Sequence, residues 1–271
     1  MPAPNEITPA QLLRLIGTPN APVLADIRTD ADFDADPFLI PGSFRHPHTG
    51  IESLKARLQG RPCVVICQKG LKLSQGVAAW LRSDGIQAEF LQGGMQGWRC
   101  LKGAPRLPAG ALPAPAGGGT LWVTRHRPKI DRIACPWLIR RFADPAARFL
   151  FVAPAEVAGV AERFGATPFD VENVFWSHQG EFCTFDTMLD AFGLRTPALD
   201  TLSRVVRAAD TNRHDLAPEA AGLLAISVGL SRQHKDDHQQ LEAGMALYDA
   251  LYRWARDGRG EGHDWPADRR S

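Results

Sequence analysis

The sequence predicts an α/β domain, a parallel sheet with flanking helices, followed by a mostly helical α+β domain. Three observations predict this. The first third alternates short buried apolar runs with amphipathic segments of roughly ten residues, as parallel strands covered on both faces require. Residues 103–119, GAPRLPAGALPAPAGGG, have no apolar period and are dominated by Gly, Pro and Ala, the composition of a semi-stiff linker. Beyond it, after two strand signals, the pattern turns helical. A length of 271 residues also favours two domains over one. The expected boundaries are 1–102, 103–119 and 120–258, with a loose tail at 259–271.

Element by element, Thr8-Pro9 reads as an N-cap and N1 proline opening the helix QLLRLI. PVLADI is a buried strand, GIESLKARLQ a helix, CVVIC a second strand, QGVAAWLRS a helix and AEFLQ a third strand. In the second part TLWVTR and ARFLFV are strands on either side of DRIACPWLIRRF, a helix that Asp131 can cap, with Pro136 near its first turn. Thr196-Pro197 opens PALDTLSRVVRAAD. PEAAGLLAISVGL is apolar almost all round and is expected to be a buried central helix. Leu241, Met245, Tyr248 and Tyr252 form the apolar stripe of a last amphipathic helix.

The net charge of +1 provides no basic field for nucleic acid, and no recognition helix is visible. No stretch approaches the roughly 20 apolar residues of a membrane span. The segment MPAPNEITPAQLL lacks the basic and apolar regions of a secretory signal. Five cysteines, at 63, 67, 100, 135 and 183, include no CxxC pair, which suggests reduced thiols and a cytoplasmic protein.

Cys67 is the first candidate functional residue. It ends the apolar run CVVIC and opens CQKGLKLS, just before a helix. The C-terminal end of a parallel strand is where open α/β sheets hold ligands. Backbone N–H groups of Gln68, Lys69, Gly70, Leu71, Lys72 and Leu73, together with the helix N-terminus, would favour a thiolate and hold an anion. Lys69 and Lys72 act in the same sense, and Gly70 permits a sharp turn. Cys63, inside the strand, reads instead as a packed core thiol.

Ala25-Asp26-Ile27-Arg28, Ile40-Pro41-Gly42-Ser43, Cys67-Gln68-Lys69-Gly70 and Leu91-Gln92-Gly93-Gly94-Met95-Gln96-Gly97-Trp98 occur in an order that resembles the rhodanese domain, over residues 5–101. The resemblance implies a rhodanese-like sheet in which Cys67 carries a persulfide and hands sulfane sulfur to a thiophilic acceptor. Its partners would then be a sulfane-sulfur donor and a small thiol, and Asp26 and Arg28 would support the loop. The common loop of that family runs Cys-x-x-Gly-x-Arg-Ser. Here Lys72 and Leu73 stand at the last two positions and Ser74 comes one place later. A loop one residue longer suits a tetrahedral oxyanion.

In the second part, Arg125, His126, Arg127, Lys129 and Arg132 crowd into eight residues ahead of a helix, a candidate anion site. His178, Glu181, Cys183 and Asp186 form a possible metal-ligand set. Glu181 and Cys183 share one side of an expected strand, and Thr184 is expected to cap the next helix. Asp210 and His214 are spaced i, i+4, so one helix face could add them to a metal site. His234 and His238 share that spacing but lie in a solvated polar run. The run Arg125–Phe142, RHRPKIDRIACPWLIRRF, and the later Ala208-Ala209-Asp210 resemble the C-terminal module of ChrB-type chromate-resistance proteins. That resemblance implies a role in sensing or acting on chromate. Two functions follow as expectations: a sulfurtransferase acting through Cys67, and a non-enzymatic oxyanion sensor or metal-binding regulator using the second domain.

Overall fold

The computed structural model describes residues 5–115 and 117–262, so most of the expected tail lies outside the described residues. In chain order the first part contains β1 (Glu6–Ile7), α1 (Pro9–Leu15), β2 (Val23–Asp26), α2 (Asp30–Asp34), β3 (Phe38–Leu39) and β4 (Ser43–Arg45). It continues through α3 (Ile51–Leu58), β5 (Cys63–Ile66), α4 (Lys72–Ser83), β6 (Ala88–Leu91), α5 (Gly94–Cys100) and β7 (Leu107–Pro108). Thr8 caps α1 as expected, its side chain accepting from Gln11 N while the Gln11 side chain returns to the Thr8 N–H.

Five parallel strands pair in the order β1-β6-β5-β2-β4, which puts β5 at the centre. Alternation along β5 divides the protein into two layers. Cys63 and Val65, with Cys67 just beyond, pack among Ala25, Leu54, Leu58, Val77, Ala78 and Leu81 on the side of α3 and α4. Val64 and Ile66 point the other way, among Leu12, Ile16, Met95 and Trp98.

The second part contains β8 (Leu121–Arg125), α6 (Asp131–Leu138), β9 (Arg148–Val152), α7 (Val157–Phe164) and β10 (Thr167–Pro168). Four helices follow: α8 (Thr184–Ala191), α9 (Pro197–Asp210), α10 (Ala220–Gln233) and α11 (Asp237–Arg253). A small parallel sheet, β10-β8-β9, is set against these helices. The helix α6 runs into a wider π turn at Ile139–Ala143. Pro136 within α6 has no N–H to donate, and the π turn beyond it is closed by Asp144 N donating to Ile139 O.

The Val64 and Ile66 face opens into a core shared with the second part, reaching Trp137, Phe142, Phe185, Tyr248 and Tyr252. Phe142 crosses the junction. Its carbonyl accepts from Gly42 N at 2.6 Å, and its ring stacks edge-on with Trp137 and Tyr252. A Cβ on Gly17 would lie 2.1 Å from that ring, so the glycine makes room for it. The Gly/Pro/Ala-rich segment is laid on the first domain: β7 pairs with β3, Trp98 Nε1 donates to Pro105 O and Leu107 is fully buried.

Three readings need correction. The expected central helix α10 is peripheral: Ile226 and Val228 are 48% and 42% exposed, and its apolar content covers a surface face as well as a buried one. Thr184 is the first residue of α8, and Cys183 takes the cap position. Residues 179–182 close a tight turn, with Gln179 opposite Phe182, so Glu181 and Cys183 do not share a strand face.

The shared core gives a direct expectation. Phe142→Ala should lower stability by about 3–5 kcal/mol, read from urea unfolding. A loss below about 1 kcal/mol would mean that the junction contributes little packing.

Candidate functional site

Two constellations have functional geometry, one in each part. The first surrounds Cys67. The residue lies just past the end of central β5 and is 4% exposed, with Sγ 3.1 Å from Ser74 Oγ. Ser74, one place later than the family pattern, reaches the thiol from the first turn of α4 and also donates to Leu71 O. The loop is clamped from α5: Met95 N donates to Cys67 O and Gln96 N to Gln68 O.

Two glycines make that clamp sterically possible. Gly70 has φ +68°, and a Cβ there would lie 2.5 Å from Leu91 O; a Cβ on Gly94 would lie 2.1 Å from Cys67 O. Among the described residues, no backbone N–H of residues 69–73 donates to another part of the chain. Lys69, Leu71 and Lys72 are exposed, while Gln68 and Leu73 are half-buried. α4 begins at Lys72 with no side-chain cap, which leaves its positive end to the loop. Burial pushes the Cys63 thiol up to about 12, which suits a structural thiol.

Asp26 and Arg28 form a buried ion pair at 2.6 Å beside β5. Arg28 also donates to Asp36 O and Phe38 O, fastening the chain after β2. Arg45 approaches Asp26 at 3.6 Å and donates to Arg28 O.

The second constellation joins residues far apart in sequence. His178 Nε2 lies 3.1 Å from Asp210 Oδ2, 3.5 Å from Asp170 Oδ1 and 3.7 Å from Asp131 Oδ2. Asp131 does not cap its own helix. Ile130 holds the cap position at φ +44°, and the Asp131 carboxylate accepts instead from Thr184 N and Phe185 N, capping α8. A β-branched residue at such a φ costs about 1–3 kcal/mol and persists only where neighbours impose it. Tyr248 OH donates to Ile130 O, and Gln240 Nε2 donates to Pro128 O.

The electrostatics follow from burial and crowding. Asp131 is raised well above the carboxylate range by burial, then by the charges of Asp210 and Asp170. Burial would also raise Asp170, but hydrogen bonds from His178 and Thr184 and the charges of Arg132 and Arg125 hold it low. Hydrogen bonding to Asp170, then to Asp210, lifts His178 to about 10.

The remaining candidates are spread more widely. Arg125 and Arg132 both pair with Asp170, at 3.1 and 3.2 Å. Arg127 donates from its backbone to Asp237 and from its side chain to Ser231 O, and His126 and Lys129 are exposed. Of the metal-ligand set, His178 and Asp210 meet. Cys183 is buried and hydrogen-bonds Asp186, which pairs with Arg195 and Arg207; Glu181 and His214 are exposed. His234 ends α10 and His238 packs on Phe151 from α11. Asp131 was legible only as a helix cap and Asp170 carried no local signal, because their meeting with His178 is set by tertiary packing.

A third feature lies at the junction. A cavity of about 290 Å³ is lined by Arg57 and Arg61 from one side and Arg140 and Arg141 from the other, with no residue of the Cys67 loop. Arg140 and Arg141 pair with Glu242 and Asp249. Arg57 lies over the Phe44 ring at 3.5 Å, and Arg61 donates to Leu58 O.

Removing Arg28 tests the support of the first site. Arg28→Ala leaves the Asp26 carboxylate buried beside the loop and should cost about 3–5 kcal/mol, measured by chemical denaturation. An unchanged midpoint would show that Arg45 alone satisfies Asp26.

Residues 8–100 match the family model of the rhodanese-like domain, and residues 122–255 that of the ChrB C-terminal domain. The chain is 31% identical over 140 residues to Protein ChrB of Cupriavidus metallidurans, covering 49% of this chain and 40% of that one. It thus spans well under half the length of that curated relative. A rhodanese-like domain protein from Staphylococcus aureus is 26% identical, with a TM-score of 0.31, over 35% of this chain and 91% of its own. A rhodanese-related protein from Thermoplasma volcanium is 22% identical, with a TM-score of 0.33, over 38% and 98%. No helix among the described residues is long and apolar enough to cross a membrane. The chain therefore joins a rhodanese-like domain to a ChrB C-terminal domain.

Proposed function

We propose that the first domain is a sulfurtransferase in which Cys67 accepts and donates one sulfane sulfur. The observation that carries this reading is the Cys67 thiol at the end of the central strand, hydrogen-bonded to Ser74 and followed by a loop whose N–H groups at residues 69–73 donate to no other described residue. With thiosulfate as donor, the Cys67 thiolate attacks the outer sulfur. A new S–S bond forms, the donor S–S bond breaks, and sulfite leaves with the electron pair. A thiophile such as cyanide or a thiol then attacks the outer persulfide sulfur, and the Cys67 thiolate leaves. Loop N–H groups and the start of α4 stabilise the negative charge on sulfur and on the departing oxyanion.

Thiocyanate formation from thiosulfate and cyanide tests the proposal. Cys67→Ala should abolish it, and Ser74→Ala should slow it by roughly 3- to 10-fold, the worth of one hydrogen bond. Wild-type protein no more active than Cys67→Ala would contradict it.

A second reading rests on the arginine-lined cavity. Neither Arg57 nor Arg61 forms an ion pair with a carboxylate among the described residues, so a tetrahedral dianion could take both. The resemblance to chromate-resistance proteins makes chromate the oxyanion to test and associates the chain with that resistance. Calorimetric titration with chromate and sulfate should show binding weakened about tenfold or more in Arg57→Ala or Arg61→Ala, with Arg125→Ala unaffected. Equal affinity in all four proteins would remove the cavity from consideration.

A further inference from the structure

The cluster around His178 is arranged like a coordination shell. Donor atoms about 2.1 Å from a common ion lie roughly 3.0 Å apart at right angles and 3.4 Å apart at tetrahedral angles. The distances from His178 Nε2 to the three carboxylates, 3.1, 3.5 and 3.7 Å, fall close to that range. Asp131, Asp170 and His178 each offer a ligand atom within 4.8 Å of the others. Asp131 is fully buried; its Oδ2, the oxygen 3.7 Å from His178, also accepts from the start of α8, and its Oδ1 has no hydrogen-bond partner among the described residues. A buried carboxylate oxygen left without a donor is costly unless something cationic meets it.

The four side chains come from the start of α6, the segment after β10, the turn before α8 and the end of α9. Arg125 and Arg132 lie behind Asp170 and hold its Oδ2, so Oδ1 is the oxygen turned to His178. Thr184 Oγ1 donates to that same Oδ1 and orients it. This is the supporting layer that fixes metal ligands in known sites. The His178 side chain is 41% exposed, which gives an ion a route in from solvent.

We propose that Asp131, Asp170 and His178, with Asp210 beside them, bind one divalent transition cation of the Mn(II), Fe(II) or Zn(II) class. Mixed carboxylate and imidazole donors suit these ions better than Mg(II) or Ca(II), which favour all-oxygen sets. The site is separate from Cys67 and does not depend on sulfur transfer.

The experiment strips the full chain with chelator and titrates it with Mn(II), followed by electron paramagnetic resonance, and with Zn(II) by calorimetry. One ion should bind per chain. His178→Ala and Asp210→Asn should each weaken binding, by about 100-fold for His178→Ala and at least 10-fold for Asp210→Asn, since even outer-layer partners are worth 10- to 100-fold. Both positions are partly exposed, so these variants should stay folded, as melting curves would show. Glu181→Ala, at an exposed residue outside the cluster, should bind as wild type does. No binding up to millimolar Mn(II) and Zn(II), or wild-type affinity in both His178→Ala and Asp210→Asn, would overturn the proposal.

Discussion

The packing of Phe142 against the first domain is the contact on which the remaining architecture depends. Its ring fills a space that only glycine at position 17 leaves open, and its carbonyl bonds Gly42. Behind it stand Trp137, Tyr248 and Tyr252, a continuous aromatic stack that carries the core from the parallel sheet into the helices. The π turn that presents Phe142 begins at Ile139, three residues after Pro136. A chain that reads as two domains and a linker therefore folds around one shared interior.

That interior also fixes both constellations. The Val64 and Ile66 face of β5 is buried against α1, α5 and the second part, which commits the opposite face, with Cys67, to the α3 and α4 side. In the second part, α11 uses Tyr248 to pin Ile130 in its left-handed conformation, and this turns Asp131 away from its own helix and toward α8 and His178. The aromatic face of α11 and the carboxylate cluster are thus consequences of one packing arrangement, although their chemistry is unrelated.

Elements with a strong local signal were legible: the capped α1, the buried strands β2, β5 and β6, and the amphipathic α11. The short pieces were not. α2 and α5 carry too few turns or too many glycines to show a period, and β3 and β7 exist only because they pair with each other. α10 misled because an apolar surface face has the same composition as a buried one. Cys67 was legible because strand, loop and helix converge on it within a dozen residues. Asp170 and the second role of Asp131 were not: Arg125 stands 45 residues before Asp170, Asp131 caps a helix 53 and 54 residues on, and only the tertiary fold brings these groups together.

The central claim is that Cys67, among five thiols, carries transferable sulfur. Three of the others are buried within cores, and Cys100 is exposed at the end of α5, away from any strand end. Mass spectrometry of the intact, reduced protein after brief exposure to thiosulfate, followed by peptide mapping, tests this most directly. A gain of one sulfur atom located on Cys67, discharged by cyanide, is the predicted result. No adduct, or an adduct on Cys100 with Cys67 unmodified, would contradict it.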